Sequence, residues 1–166
     1  MKKITDVSKV LPVKGTNGKM DLKKVNVLVV HHDAVYVPAN GYNTMERLKM
    51  EANDHIARGW SHISYHYVID NLGDIYKCLP EDEVAYHCGN LAINKNSLAV
   101  KLDGNFEVQK PTAAQVKSLG DFIVWITSQR PDIPKIVKSS IKGHREIKAT
   151  ACPGANLFPL VVKLRK

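Results

Sequence analysis

The first dense apolar run covers residues 25–30, VNVLVV, where β-branched side chains follow one another without the alternation of a half-solvated strand. Such a run predicts a strand buried on both faces. It stops abruptly at His31-His32-Asp33. From Thr44 the period changes: Met45, Leu48, Ala52, His55 and Ile56 recur at three- and four-residue steps, Asn43 or Thr44 can cap the start, and Gly59 should end the helix. Residues 63–69 and 75–79 read as strands on either side of Asn71-Leu72-Gly73-Asp74, which is turn chemistry, so together they predict a β-hairpin. Regular alternation in the first of these would set Tyr65 and Tyr67 on one face and His66 and Val68 on the other.

A brief strand is expected over 85–88 and a longer one over 97–102. The second helix spans 112–129: Pro111 and Thr112 open it, Val116, Leu119, Ile123 and Ile126 form its apolar stripe, and Pro131 and Pro134 close it. A short strand over 141–144, a loop through Cys152-Pro153-Gly154 and a short helix over 157–164 complete the chain. Strands and helices intermix around one hairpin, so the expected class is α/β: a single domain with a central mixed sheet flanked by helices. A length of 166 residues with 44% hydrophobic content suits one compact core, and no repeat or low-complexity tract divides it. The expected domain is therefore 1–166, with the motif-bearing core at about 25–164 and a surface turn over 16–21.

Composition narrows the function classes. No stretch approaches the roughly 20 apolar residues that cross a bilayer, and residues 1–20 mix Lys, Asp, Thr, Pro and Gly where a signal peptide needs an apolar run. The expectation is a non-membrane chain without an export signal. The net charge of +8 attracts any large anionic polymer: nucleic acid, anionic membranes or the acidic polymers of a bacterial envelope. The basic residues are spread from Lys2 to Lys166, densest at Lys23 with Lys24 and at Lys163, Arg165 and Lys166. An ordinary solvated basic surface explains them equally well, and no aromatic-interleaved basic stripe points to nucleic acid. Three cysteines at irregular spacing, Cys78, Cys88 and Cys152, argue against a disulfide framework and for at least one thiol with another task.

Two weak signals gain weight together. The pair His31-His32 closes the apolar strand; His144 and Cys152, with seven residues between them, lie in G-H-R-E-I-K-A-T-A-C-P-G. A lone histidine pair is more often packed than ligating, and the second spacing is not that of a zinc finger. Two imidazoles and one thiolate nevertheless make three protein ligands with the fourth tetrahedral position left to water, the open arrangement of catalytic zinc. The thiolate also disfavours magnesium or calcium.

The strand end V-V-H-H-D-A, then S-Y-H-Y-V-I-D-N-L-G, A-Y-H-C-G, N-K-N-S-L-A-V, and G-H-R-E followed by A-C-P-G occur in this order. The series resembles the zinc amidases of the N-acetylmuramoyl-L-alanine amidase type, whose relatives include short phage endolysins and animal peptidoglycan recognition proteins. It runs from about Val25 to Leu164. The resemblance implies one Zn²⁺ per chain on His31, His144 and Cys152, with His31 rather than His32 because the family's ligand directly follows the strand. It implies a catalytic tyrosine at Tyr65, which without it reads as a core aromatic. Thr150 falls where some phage members carry lysine and several animal amidases threonine; its hydroxyl can hydrogen-bond an oxyanion but brings no charge. His87 implies a groove residue, or else an exposed loop histidine; Asn96 and Ser97 imply groove residues, or else capping and turn residues. Lys101 stands where many bacterial relatives have a glutamate in S-I-G-I-E-L, and it either points to the metal side or is neutralised by Asp103.

The implied activity is zinc-dependent hydrolysis of the bond joining the lactyl group of N-acetylmuramic acid to L-alanine, with Tyr65, Thr150 and Lys101 as candidates for stabilising the oxyanion. Tyr65, Lys101 and His87 are candidates for protonating the leaving amine. The alternatives are a recognition module that holds peptidoglycan uncut and an endopeptidase acting inside the stem peptide. The expected partner is bacterial peptidoglycan, with anionic wall polymers drawn to the basic surface. The expected setting is a monomeric phage or prophage endolysin made in the host cytoplasm and acting at the wall after release.

Overall fold

The structure is a computed structural model that describes residues 1–38 and 41–166. Six strands form one mixed sheet: β1 (Ile4–Asp6), β2 (Val27–His32), β3 (Tyr67–Ile69), β4 (Ile75–Lys77), β5 (Ser97–Leu102) and β6 (Ile141–Gly143). Their order across the sheet is β1-β4-β3-β5-β2-β6. The hairpin β3–β4 is antiparallel, whereas β1 with β4 and the run β3, β5, β2, β6 pair in parallel. The α/β expectation therefore holds, mixed sheet included.

Helices α1 (Thr44–Ala57), α2 (Leu91–Asn94), α3 (Ala113–Ser128) and α4 (Phe158–Leu164) surround the sheet. Asn43 caps α1 by accepting from the Glu46 N–H, and Thr112 with Gln115 forms a reciprocal capping box on α3. The sheet separates two apolar layers. Leu28, Val30, Tyr67, Ile69, Leu98, Val100 and Leu102 pack with Leu119, Phe122, Ile123 and Ile126 of α3 and Val161 of α4. On the opposite face Val68 and Cys78 pack with Leu48 and Ala52 of α1 and with Val7, Leu11 and Ile63. Phe122 replaces Val116 in the buried stripe of α3, a small rotation from the expected face.

Several expectations change. Strand β2 extends two residues beyond the apolar run, so His31 and His32 lie inside the ladder, paired with Lys101 and Leu102 of β5. Residues 85–88 form no strand, because the Asn94 side chain takes the Cys88 N–H that a ladder would need. Residues 63–66 are irregular, and this overturns the expected grouping of Tyr65 with Tyr67. The buried His66 ring accepts the Ala99 N–H through Nδ1 at 3.1 Å, while the His66 backbone N–H bonds the Ala99 carbonyl at 3.1 Å. A side chain thus fills the place of a strand carbonyl, alternation breaks, and Tyr65 packs on the α1 face with Val68. Tyr67 stays on the α3 face against Phe122.

Candidate metal centre

The parallel strands β2, β5 and β6 end at one edge, and side chains beyond such carboxyl ends converge in a shared crevice. His31 leaves β2 there. His144 follows β6 directly, in a 3-10 turn over His144–Glu146 rather than in the strand. The Cys152 loop reaches the same point because Gly143 lets it close: a Cβ at 143 would lie 2.8 Å from the Phe158 ring and 3.1 Å from Pro153. One donor atom from each of His31, His144 and Cys152 then lies within 4.8 Å of the others.

The donor set fits zinc on two counts. Cys152 Sγ is 3.6 Å from His31 Nδ1, the separation of about 3.6 Å expected for a sulfur and a nitrogen sharing a tetrahedral zinc at ~2.3 and ~2.05 Å. His144 Nε2 is buried with no hydrogen-bond partner, a state that costs about 1–3 kcal/mol unless something accepts its lone pair or proton. His32 takes no part: its ring Nδ1 accepts the Phe106 N–H at 3.1 Å, while its backbone N–H points to Cys152 Sγ at 3.4 Å.

Electrically the centre is held neutral. Burial pushes His31 and His87 well below the usual imidazole range, and neighbouring histidines add to the effect. Burial also lowers His144, against a hydrogen bond with the Cys88 backbone. The Cys152 thiol is pushed up to about 12 by burial, with the His32 N–H working the other way. Even with the Arg145 charge acting on it this sulfur is a thiol, and a bound metal is what would release its proton.

Tyr65 stacks at a tilt on His31, ring centroids 5.3 Å apart. Burial, then the charge of Glu51, raises its hydroxyl above the usual phenol range, so it is a donor at neutral pH. His144 opens on a cleft of about 430 Å³ lined also by Trp60, Tyr86, His87, Asn90 and Lys148. Tyr65 opens on a second, of about 680 Å³, with His32, Asp33, Arg47, Glu51 and His55.

The remaining sequence candidates are dispersed. Thr150 is exposed, and its hydroxyl accepts the Cys152 N–H at 3.3 Å, bracing the loop. Ser97 is fully buried and contacts no groove, but its Oγ lies 2.9 Å from His87 Nε2. Asn96 follows its capping alternative and not the groove one: its amide bonds the Ala92 carbonyl just past α2, and it lines a separate cleft with Lys24, Lys135 and Lys142 at the opposite end of β5. Lys101 follows the second of its two expected courses, neutralisation by Asp103: it is 0% exposed, with its ammonium 2.6 Å from Glu51, 2.7 Å from Asp103 and 3.5 Å from Asp33, so three carboxylates enclose it. Sequence reading missed Glu51 and Arg47, although a carboxylate between Leu48 and His55 on the buried stripe of α1 was the available signal. It missed Lys148, which brings to the His144 cleft the positive charge that Thr150 lacks. Cys78 and Cys88 are buried free thiols.

A profile of the N-acetylmuramoyl-L-alanine amidase family matches residues 21–155. The chain belongs to that family. It is 27% identical over 134 residues to a peptidoglycan-recognition protein of Drosophila melanogaster, covering 81% of this chain and 71% of that one. Among solved structures, the N-acetylmuramoyl-L-alanine amidase LysC of Clostridium intestinale superposes with a TM-score of 0.77 at 25% identity, over 99% of this chain and 98% of its own. The endolysin amidase LysCS of the same organism gives 0.75 at 27%, over 99% and 96%. The six-stranded sheet with flanking helices is thus the amidase and recognition-protein fold, and the chain is a peptidoglycan amidase or a peptidoglycan-binding relative of one. No helix among the described residues is long and apolar enough to cross a membrane.

Proposed function

We propose that residues 1–166 form one catalytic domain, a zinc-dependent N-acetylmuramoyl-L-alanine amidase that hydrolyses the bond between the lactyl group of N-acetylmuramic acid and L-alanine. The observation that carries this reading is the convergence of two imidazoles and one thiol beside Tyr65, with three protein donors and no fourth among the described residues. A zinc ion held by His31, His144 and Cys152 would polarise the amide carbonyl and acidify a water at neutral pH. The protonated Tyr65 hydroxyl, on a ring stacked against His31, would donate to the oxygen that gains charge. Lys101 cannot do so from within its carboxylates, and Thr150 acts at one remove by holding the Cys152 loop. For the leaving amine the candidates beside the cluster are Tyr65, stacked on His31, and Lys148 across the adjoining cleft.

Retention of Cys152 favours hydrolysis over mere binding, since a recognition module has no use for an open metal position. The likeness to endolysin amidases supports a phage or prophage role in which the chain is made in the host cytoplasm and acts at the wall as a monomer. Lys24, Lys135 and Lys142 line one cleft and none pairs with a carboxylate among the described residues, which supports attraction to anionic wall polymers. Metal analysis together with fragment masses from digested wall tests the proposal. One zinc per chain and new L-alanine amino termini are expected, both lost in Cys152→Ser; a variant that keeps full zinc and full lysis would overturn the ligand assignment. Fragments cut within the stem peptide would indicate the endopeptidase instead.

A further inference from the structure

Behind His31, away from the cluster, three polar groups stand in line. His31 Nε2 lies 3.0 Å from His87 Nδ1, His87 Nε2 lies 2.9 Å from Ser97 Oγ, and Ser97 Oγ lies 2.7 Å from the Ile93 carbonyl. His31, His87 and Ser97 are 1%, 7% and 0% exposed, so water does not compete for these contacts.

The direction of the chain follows from its last member. A carbonyl oxygen only accepts, so the Ser97 hydroxyl must direct its single proton to Ile93; turned the other way, two oxygens 2.7 Å apart would oppose lone pairs. Ser97 can then only accept from His87, which puts the His87 proton on Nε2 and leaves Nδ1 bare. His87 Nδ1 in turn accepts from His31, which puts the His31 proton on Nε2 and leaves its Nδ1 lone pair facing Cys152 Sγ. We infer that Ser97 and His87 are positioning residues: a backbone carbonyl on the far side of the relay dictates which nitrogen of His31 is free to bind metal. Without that bias a neutral imidazole divides its proton between both nitrogens, and every Nδ1–H form must rearrange before it can ligate. The role depends on the metal reading above, but the proton order does not.

Two measurements test it on the full chain. Long-range nitrogen–proton NMR of the zinc-free protein should show both His31 and His87 as Nε2–H tautomers; Nδ1–H at either ring would overturn the relay whether or not zinc binds. Chelator competition should then show zinc affinity falling about 10–100-fold in Ser97→Ala and in His87→Phe. His87→Gln, whose amide oxygen can accept from His31, should recover part of the loss, and His31 should show mixed tautomers in Ser97→Ala. Unchanged affinity and unchanged tautomers in a folded Ser97→Ala would sink the inference. A variant that fails to fold leaves the wild-type spectrum to decide. If the wild type binds no zinc while its tautomers are as stated, the amidase proposal fails and the relay stands.

Discussion

Two buried polar clusters lie side by side on one face of the sheet, rooted in the paired residues His31 of β2 and Lys101 of β5. The Lys101 cluster supplies its own counter-charges, although Arg47 Nε and Asp103 Oδ1 lack a hydrogen bond of good geometry. Its ammonium faces Glu51, Asp103 and Asp33; Arg47 pairs with Asp33 and lies 3.6 Å from Asp103; and the Tyr42 hydroxyl donates to Asp103. The His31 cluster has no counter-charge among its members and contains an unpartnered nitrogen. Similar placement with different charge balance separates the two: the first is a network of paired opposite charges, and the second a set of neutral donors that suits the proposed cation.

The largest effect should come from opening the closed cluster. Lys101→Met strands its carboxylates in the interior and should cost about 3–5 kcal/mol of stability in urea unfolding; adding Glu51→Gln and Asp103→Asn should return much of it, and a neutral Lys101→Met would place Lys101 outside the structural role. Next, Tyr65→Phe should lower wall hydrolysis by about 10²–10³-fold, in the range found for losing one oxyanion donor, with zinc content unchanged. A drop confined to binding would make Tyr65 a groove wall. Smallest should be Thr150→Ala, which removes one exposed hydrogen bond on the Cys152 loop and should cost no more than about 1 kcal/mol in stability, with lysis rates within about tenfold of wild type. A loss comparable to Tyr65→Phe would return Thr150 to the reaction.

What can be read from the chain alone is whatever a period or a motif spells out. The buried run before His31, the stripes of α1 and α3 and the Asn71–Asp74 turn are local patterns, and each element forms. The three-residue β1 and four-residue α2 are too short for any period to reveal. Alternation puts Tyr65 on the wrong face because it assumes a regular strand, and nothing local announces that the His66 ring will take the place of a carbonyl. Lys101 stays between two fates in the sequence because its partner Glu51 lies 50 residues earlier on a helix, a contact only the tertiary fold makes. Ser97 and Asn96 are adjacent in sequence, yet one supports His87 from inside the sheet and the other faces a cleft at the far end of β5.

Strand β2 is laddered to β5 along its whole length and to β6 over Leu28–Val30, so it lies inside the sheet and not at its edge. The imidazole of His31 is therefore carried on sheet backbone. Cys152, by contrast, sits on a loop between the His144 turn and α4. The sulfur already rests 3.6 Å from the His31 ring and 3.4 Å from the His32 N–H, so on the proposed zinc reading an ion would enter a clasp that is half shut rather than have to gather one.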